Sequence, residues 1–166
     1  MDIVMTGFAG LSGSRKLWQD RRAFLSAKLP EWLYDSLCAL PDGSEGLQPE
    51  DDARILCRVP VGDGGVWAAL WELGEAAVRE VPGCSGGLTV TQADIPIRQE
   101  TIEICELLEE DPCRLASGGW LFLAEEGWRL DGAVIGHLTE GRARVILGRE
   151  GIRYLERPRR RTEERE

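Results

Sequence analysis

Histidine is nearly absent from this 166-residue sequence, in which His137 is the only one. A Ser-His-Asp triad or a histidine-based metal site would therefore depend on that single residue. Its neighbours Gly136 and Leu138 belong to a β-patterned run, which favours a structural role over a ligand role. The sequence accordingly predicts no catalytic residue and no metal ligand.

Paired cysteines are also missing. The count of five is odd, and no two have the C-x-x-C spacing of zinc sites and redox motifs. We therefore expect reduced thiols rather than a disulfide framework. Cys84, in the run Gly-Cys-Ser-Gly-Gly, is expected to be the most exposed, but no neighbouring base or cation activates it. The other cysteines lie in apolar patterns that predict core positions, at Cys38, Cys57, Cys105 and Cys113.

Positive charge is scarce. Lysine and arginine total 20 against 29 acidic residues, which gives a net charge of -9. This balance argues against nucleic acid or an acidic membrane surface as a partner. No apolar run approaches the roughly 18 residues of a membrane helix. The N-terminal residues also lack the basic segment of a secretory signal. We therefore expect a cytoplasmic protein.

The length of the chain predicts one domain over residues 1–156. Residues 157–166 mix both signs of charge, which predicts a charged, flexible tail. The polar run at 41–52 predicts a surface loop. The remaining patterns give the order β-α-α-β-α-β-α-β-β-β-β, an α+β domain with a mixed β-sheet packed against helices. Its helices are predicted at about 14–29, with Ser12 or Ser14 as the cap, and at 31–40, 65–80 and 98–110.

One stretch resembles an anion-binding element. A β-patterned run from Ile55 to Val59 precedes the turn formed by Gly62, Asp63, Gly64 and Gly65, and a long apolar helix follows. This layout directs backbone N–H groups at an anion such as a nucleotide phosphate. The competing interpretation is that Asp63 caps the helix with its own carboxylate.

The helix after this turn carries two apolar stripes. One contains Leu70 and Leu73, and the other contains Trp67, Trp71 and Val78. The second stripe is either a partner interface or part of the intramolecular core. On the same helix, Glu72 and Glu75 are spaced to pair as acid and base or to hold a metal, but solvated helix charge is the favoured interpretation.

Five segments in order resemble the C-terminal domain of the aminoimidazole ribonucleotide (AIR) synthase-related superfamily, and most closely its HypE-like hydrogenase maturation branch. They are Trp71–Ala76, Ile95–Glu106, Asp111–Pro112, Leu115–Leu121 and Val134–Glu140. The resemblance implies the fold of that domain. It also implies that ATP and Mg, which an N-terminal domain handles in the family, bind only with a partner chain that supplies that domain.

The chain departs from the family pattern at the glycine turn. The family sequence Asp-x-Thr-x-Gly-Gly corresponds here to Pro60 through Gly65, so proline replaces the aspartate and Gly62 replaces the hydroxyl residue. The chain also has no cysteine after Cys113, whereas HypE-like members end in a cysteine that carries the transferred group. Only Glu125–Gly132 stands where the family usually has a helix.

These features predict a free-standing domain without a complete ATP site, acting as a binding module. Its expected partner is an AIR synthase-like N-terminal-domain protein or a second copy of itself. The alternative is a subunit of an ATP-dependent enzyme made of two polypeptides. A degenerate relict that retains only the fold also remains open.

Overall fold

A computed structural model describes residues 1–40, 54–127 and 132–158 of the chain. The predicted loop at 41–52 lies outside these ranges, as do residues 159–166 of the predicted tail. The region predicted to lack a helix is described only at 125–127 and at Gly132.

The described residues form one mixed seven-stranded sheet in the order β2-β4-β1-β5-β3-β6-β7. Only β3 and β6 pair in parallel, and the other pairs are antiparallel. The α+β prediction is therefore confirmed, as are all the predicted strands. The strands are β1 Asp2–Met5, β2 Ile55–Gly62, β3 Leu88–Thr91, β4 Ser117–Ala124, β5 Ala133–Leu138, β6 Arg144–Gly148 and β7 Gly151–Tyr154.

Five α-helices accompany the sheet: α1 Leu11–Asp20, α2 Arg22–Lys28, α3 Glu31–Ala39, α4 Gly65–Glu80 and α5 Gln99–Leu108. The single first helix predicted from the sequence is wrong, because Arg21 leaves helical geometry (φ -120, ψ 31) and separates α1 from α2. The predicted serine cap is also wrong. Gly10 precedes α1, and Ser14 lies inside it, where its hydroxyl donates to the Leu11 carbonyl at 2.8 Å.

Helix α4 covers one face of the sheet and supplies much of the main core. Its buried Leu70 and Leu73 pack with Ile3, Leu121 and Leu88 from the strands. These two leucines belong to the first of the two apolar stripes that the sequence predicts for this helix. A second cluster joins α1, α2, α3 and α5 around Trp18 and Leu37, so the helices other than α4 form a group of their own.

Strand β2 is one edge of the sheet. Pro60 lies within it, and an edge position suits proline because proline has no N–H to donate to a ladder on both sides. None of the helices in the described ranges has both the length and the apolar character needed to span a membrane.

Candidate functional site

The predicted strand–turn–helix element is present. Strand β2 ends at Gly62, and α4 begins at Gly65, so only Asp63 and Gly64 lie between them. Gly62 has φ 67 and would leave a Cβ in open space. Its role is therefore conformational, since this backbone region is costly for residues with a Cβ.

Gly65 has a different role. Its φ is 78, and a Cβ at this position would lie 2.5 Å from the carbonyl oxygen of Cys113. The missing side chain lets the start of α4 approach the backbone of Cys113 and Arg114, which belong to the short 3-10 turn Pro112–Arg114. Gly65 therefore serves packing.

The interpretation of Asp63 as the helix cap is wrong. The residue before α4 is Gly64, with φ -79 and ψ -8, and no side chain makes a capping hydrogen bond. Gly65 has φ 78, outside the helical range, so regular helical geometry begins only after it, and Asp63 lies too early for the usual bond from a capping carboxylate to the second or third helical amide. Among the residues that the structure describes, no side chain caps this end of α4.

A cavity of about 900 Å³ opens at this end of α4. Asp63 and Gly64 line it, whereas Gly62 and Gly65 do not. The other walls come from α4, the 3-10 turn, β6, β7 and the residues after β7. These lining residues are Trp67, Ala68, Arg114, Ile146, Arg153, Tyr154, Leu155, Glu156, Arg157 and Pro158.

Trp67 holds three parts of this wall together. Its indole N–H donates to Asp111 Oδ2 at 2.9 Å, and the other oxygen of Asp111 accepts the Cys113 amide at 3.0 Å. The Arg153 guanidinium of β7 lies 5.1 Å from the centre of the Trp67 ring, within range of a cation–π contact. Hydrogen bonds and a cation–π contact therefore hold α4, the 3-10 turn and β7 together in the cavity wall.

This geometry corrects the interface interpretation of the two tryptophans. Trp67 is only 8% exposed, and Trp71 is half-buried with the Arg144 guanidinium 4.3 Å from its ring centre. Both rings are thus occupied within the chain. Val78 is the exposed member of that stripe, at 48%.

The cavity combines three cationic side chains with two anionic ones. Arg114, Arg153 and Arg157 line it together with Asp63 and Glu156. Arg114 is partly engaged, since its Nε lies 3.7 Å from Asp111 Oδ2. The positive end of the α4 dipole adds to the cationic side. Of the described residues that line it, none is a serine, cysteine or histidine, and their charges suit electrostatic binding.

Sequence reasoning found the turn but missed the arginines opposite it. Arg114 follows a helix stop in the sequence, and Arg153 stands in a short strand 88 positions after Gly65. The only available signal was that Arg153 alternates with the apolar Ile152 and Tyr154, which places it on the opposite face of β7. Which face meets α4 depends on the strand order.

The remaining predicted candidates do not join this cavity. Glu75 is bonded to Arg144, and Glu72 is exposed. His137 is exposed on β5, where it pairs in register with Thr89. Among the residues that the structure describes, no three acidic, cysteine or histidine side chains cluster as a metal-binding group.

Burial keeps the thiols of three cysteines protonated. It raises the pKa of Cys57, Cys105 and Cys113 to about 12 in each case, so these thiols remain protonated and unreactive near neutral pH. Two predictions about the other thiols are wrong: Cys38, expected in the core, is exposed, and Cys84, expected to be the most exposed cysteine, is half-buried. The far end of α3, where Cys38 lies, faces solvent.

Solved structures share this fold. E. coli HypE, a hydrogenase maturation protein, aligns at a TM-score of 0.64 and 21% identity over 96% of this chain and 50% of its own. A chain of the HypE-HypF complex aligns at a TM-score of 0.60 and 18% identity, over 95% of this chain and 52% of its own. AaThiL complexed with AMPPCP and TMP aligns at a TM-score of 0.60 and 18% identity, over 87% of this chain and 47% of its own.

The chain has the PurM/AIR synthase-like fold. The resemblance read from the sequence is therefore confirmed at the level of fold. The chain spans only about half the length of these HypE and ThiL structures, as expected of a domain resembling their C-terminal half. No protein-family model matches the sequence, and no curated protein matches it.

Proposed function

We propose that this chain is a non-catalytic binding module of the HypE-like, hydrogenase-maturation type. It works in the cytoplasm by associating with a polypeptide that resembles the other half of HypE and ThiL. In this proposal the chain regulates or completes that partner. Any ATP or Mg binds only in the assembled pair.

The observation that carries the proposal is the shared length. The alignment covers 96% of this chain but only 50% of E. coli HypE, so these residues match about half of HypE. The glycine turn supports the same view, because Pro60 stands where the family aspartate would be and supplies no carboxylate for a metal or nucleotide. The solved HypE-HypF complex contains a chain of this fold together with a second protein.

Within this module, the cavity at the start of α4 is the proposed site for an anionic group, with Gly62–Gly65 as its turn. Two features favour an anion there: the uncapped helix terminus and the arginines at 114, 153 and 157. Asp63 opposes it, since its carboxylate lines the same cavity. Asp63→Asn should therefore raise the affinity for inorganic phosphate or pyrophosphate severalfold, as measured by calorimetry. Unchanged binding, or no binding in either form, would remove the anion site.

The module proposal is tested by adding ATP in two steps. The chain alone should not hydrolyse ATP. A separately produced N-terminal half of a HypE-type protein from the same genome should then bind it with measurable affinity in calorimetry. ATP hydrolysis by the purified chain alone contradicts the proposal, and so does a lack of binding to such a half.

The second candidate is a catalytic subunit. The AaThiL structure holds AMPPCP and TMP in a chain of this fold, which favours testing turnover in the assembled pair. If the mixed chains hydrolyse ATP and the partner alone does not, the subunit is favoured over the regulatory module. Arg153→Ala is the matched variant, since it removes one cavity cation from an exposed position.

A further inference from the structure

Strand β7 ends the sheet with little cover. Within the described ranges it pairs only with β6, and all four of its residues are exposed. Ile152 and Tyr154 are each 71% exposed, more than any other large hydrophobic residue that the structure describes. An open edge strand of this kind presents a template for another strand.

The register shows which backbone groups are free. The Leu155 amide donates to the Arg144 carbonyl of β6 at 2.8 Å. In an antiparallel pair, successive residues alternate between bonding the neighbour and pointing away from it. Gly151 and Arg153 therefore bond β6, as Leu155 does. The N–H and C=O groups of Ile152 and Tyr154 point to the open side.

The same two residues continue an uncharged surface. Tyr154 pairs with Val145, and Ile152 pairs with Leu147, so these four side chains share the face that α4 does not cover. Thr89 and Thr91 of β3 extend that face in register. None of the six is charged, although charged residues make up 30% of the chain. Depletion of charge is typical of interface centres.

The opposite edge of the sheet is protected. Strand β2 contains Pro60, and its register with β4 shifts at two places, between Ile55 and Cys57 and between Pro60 and Gly62. Proline and bulges are the usual devices that block edge pairing. Strand β7 has neither a proline nor a register shift, and its one charged side chain, Arg153, lies over the Trp67 ring of α4. One edge of this sheet is thus open to strand addition and the other is not.

We infer that β7 pairs with β7 of a second copy, antiparallel across a two-fold axis, so that two sheets join into one. Two identical chains of net charge -9 repel each other, and this uncharged face lets them meet with few like charges in contact. A two-fold contact uses the same strand on both sides and closes at the dimer. The protected β2 edge then prevents further growth. This inference does not depend on the proposed function.

Sedimentation velocity of the full chain over a concentration series tests the inference. The expected result is a shift from 18.4 kDa to twice that mass as the concentration rises. Ile152→Lys should raise the dimer Kd by about 100-fold, because each dimer loses two apolar contacts and gains two charges. The matched control is Trp32→Lys on α3, where the side chain is 67% exposed; it should leave the Kd unchanged.

Hydrogen exchange separates edge pairing from any other mode of dimerisation. The amides of Ile152 and Tyr154 should exchange at least tenfold more slowly in the dimer, whereas that of Arg153 should be protected in monomer and dimer alike. Ile152→Pro removes only the outward N–H and should give a folded monomer. A monomer at every concentration overturns the inference. A dimer that Ile152→Lys does not weaken, or whose edge amides stay unprotected, overturns it too.

Discussion

Arg144 on β6 is the side chain whose removal should most sharply test how α4 is held on the sheet. Its side chain is 9% exposed. Its guanidinium donates to the Gly86 carbonyl at 3.0 Å, to the Trp71 carbonyl at 3.3 Å and to Glu75 Oε1 at 2.9 Å. It also lies over the Trp71 ring. One arginine therefore joins β6, α4 and the turn before β3.

The cost of Arg144→Ala follows from these contacts. Gly86 is buried, so its carbonyl would lose its partner at a cost of about 1–3 kcal/mol. The cation–π contact with Trp71 contributes about 0.5–2 kcal/mol. The pair with Glu75 contributes only about 0–1 kcal/mol, because that carboxylate is 46% exposed and water screens it. Arg144→Ala should thus lower the free energy of unfolding by about 3 kcal/mol.

Gly74 supplies a second variant for a double-mutant cycle. A Cβ at Gly74 would lie 2.6 Å from Arg144 Nε and 2.7 Å from its Cζ. Gly74→Ala should therefore destabilise the native protein by displacing the guanidinium. In the Arg144→Ala background the same change should stabilise by up to about 1 kcal/mol, because alanine is the better helix residue. The sign of the effect should reverse between the two backgrounds.

Urea unfolding followed by tryptophan fluorescence and far-UV circular dichroism measures all four proteins of the cycle. The native protein and the two single variants should share one m-value, so that midpoint shifts report stability. Glu75→Gln is the control and should cost less than about 1 kcal/mol. The reasoning is refuted if Arg144→Ala costs less than about 1 kcal/mol, or if Gly74→Ala has the same sign in both backgrounds.

Three further predictions concern local backbone strain, thiol reactivity and pH. Gly62→Ala should cost about 1 kcal/mol and Gly65→Ala more than about 3 kcal/mol, because both have positive φ but only Gly65 is in contact with backbone; equal midpoint losses in urea would contradict this. A thiol reagent should label native Cys38 and Cys84 alone. The buried cysteines, Cys57, Cys105 and Cys113, should react only after unfolding. Their pKa is about 12 in the folded protein against the ordinary 9.0, so the free energy of unfolding should fall as the pH rises above 9.0. The pKa of Glu100 is lowered by a hydrogen bond with its own backbone amide, and also by Ser36 and Arg98, against the effect of burial. Stability should therefore be lost below about pH 4.5, and Glu100→Gln should flatten that acid limb.

Local patterns predicted the elements well where one period dominated. Helix α4 has the predicted bounds, at Gly65–Glu80. It is a regular segment between a glycine turn and a proline turn, and such signals act within a few residues. The break at Arg21 was not predicted, because Trp18 and Leu25 keep a helical spacing across it and nothing in the local sequence ends the helix.

The candidate site was only half visible in the sequence. The glycine turn is contiguous, so its residues were named correctly as a strand-to-helix turn. Its cavity is not contiguous: Arg114 and Arg153 reach it from other elements. The capping role assigned to Asp63 was wrong, since Gly64 is the cap position and Gly65, with φ 78, delays the start of helical geometry. That shift depends on how closely Gly65 packs against Cys113.

The sequence by itself determined the α+β class, the order of the elements and the absence of a paired-cysteine or histidine framework, because composition and short-range periodicity carry that information. The tertiary structure alone decided which faces are covered. It buried Trp67 against Asp111, directed Arg144 beneath α4 and left β7 open at the edge of the sheet. These outcomes depend on strand order and register, which bring together residues distant in the chain and which no local pattern encodes.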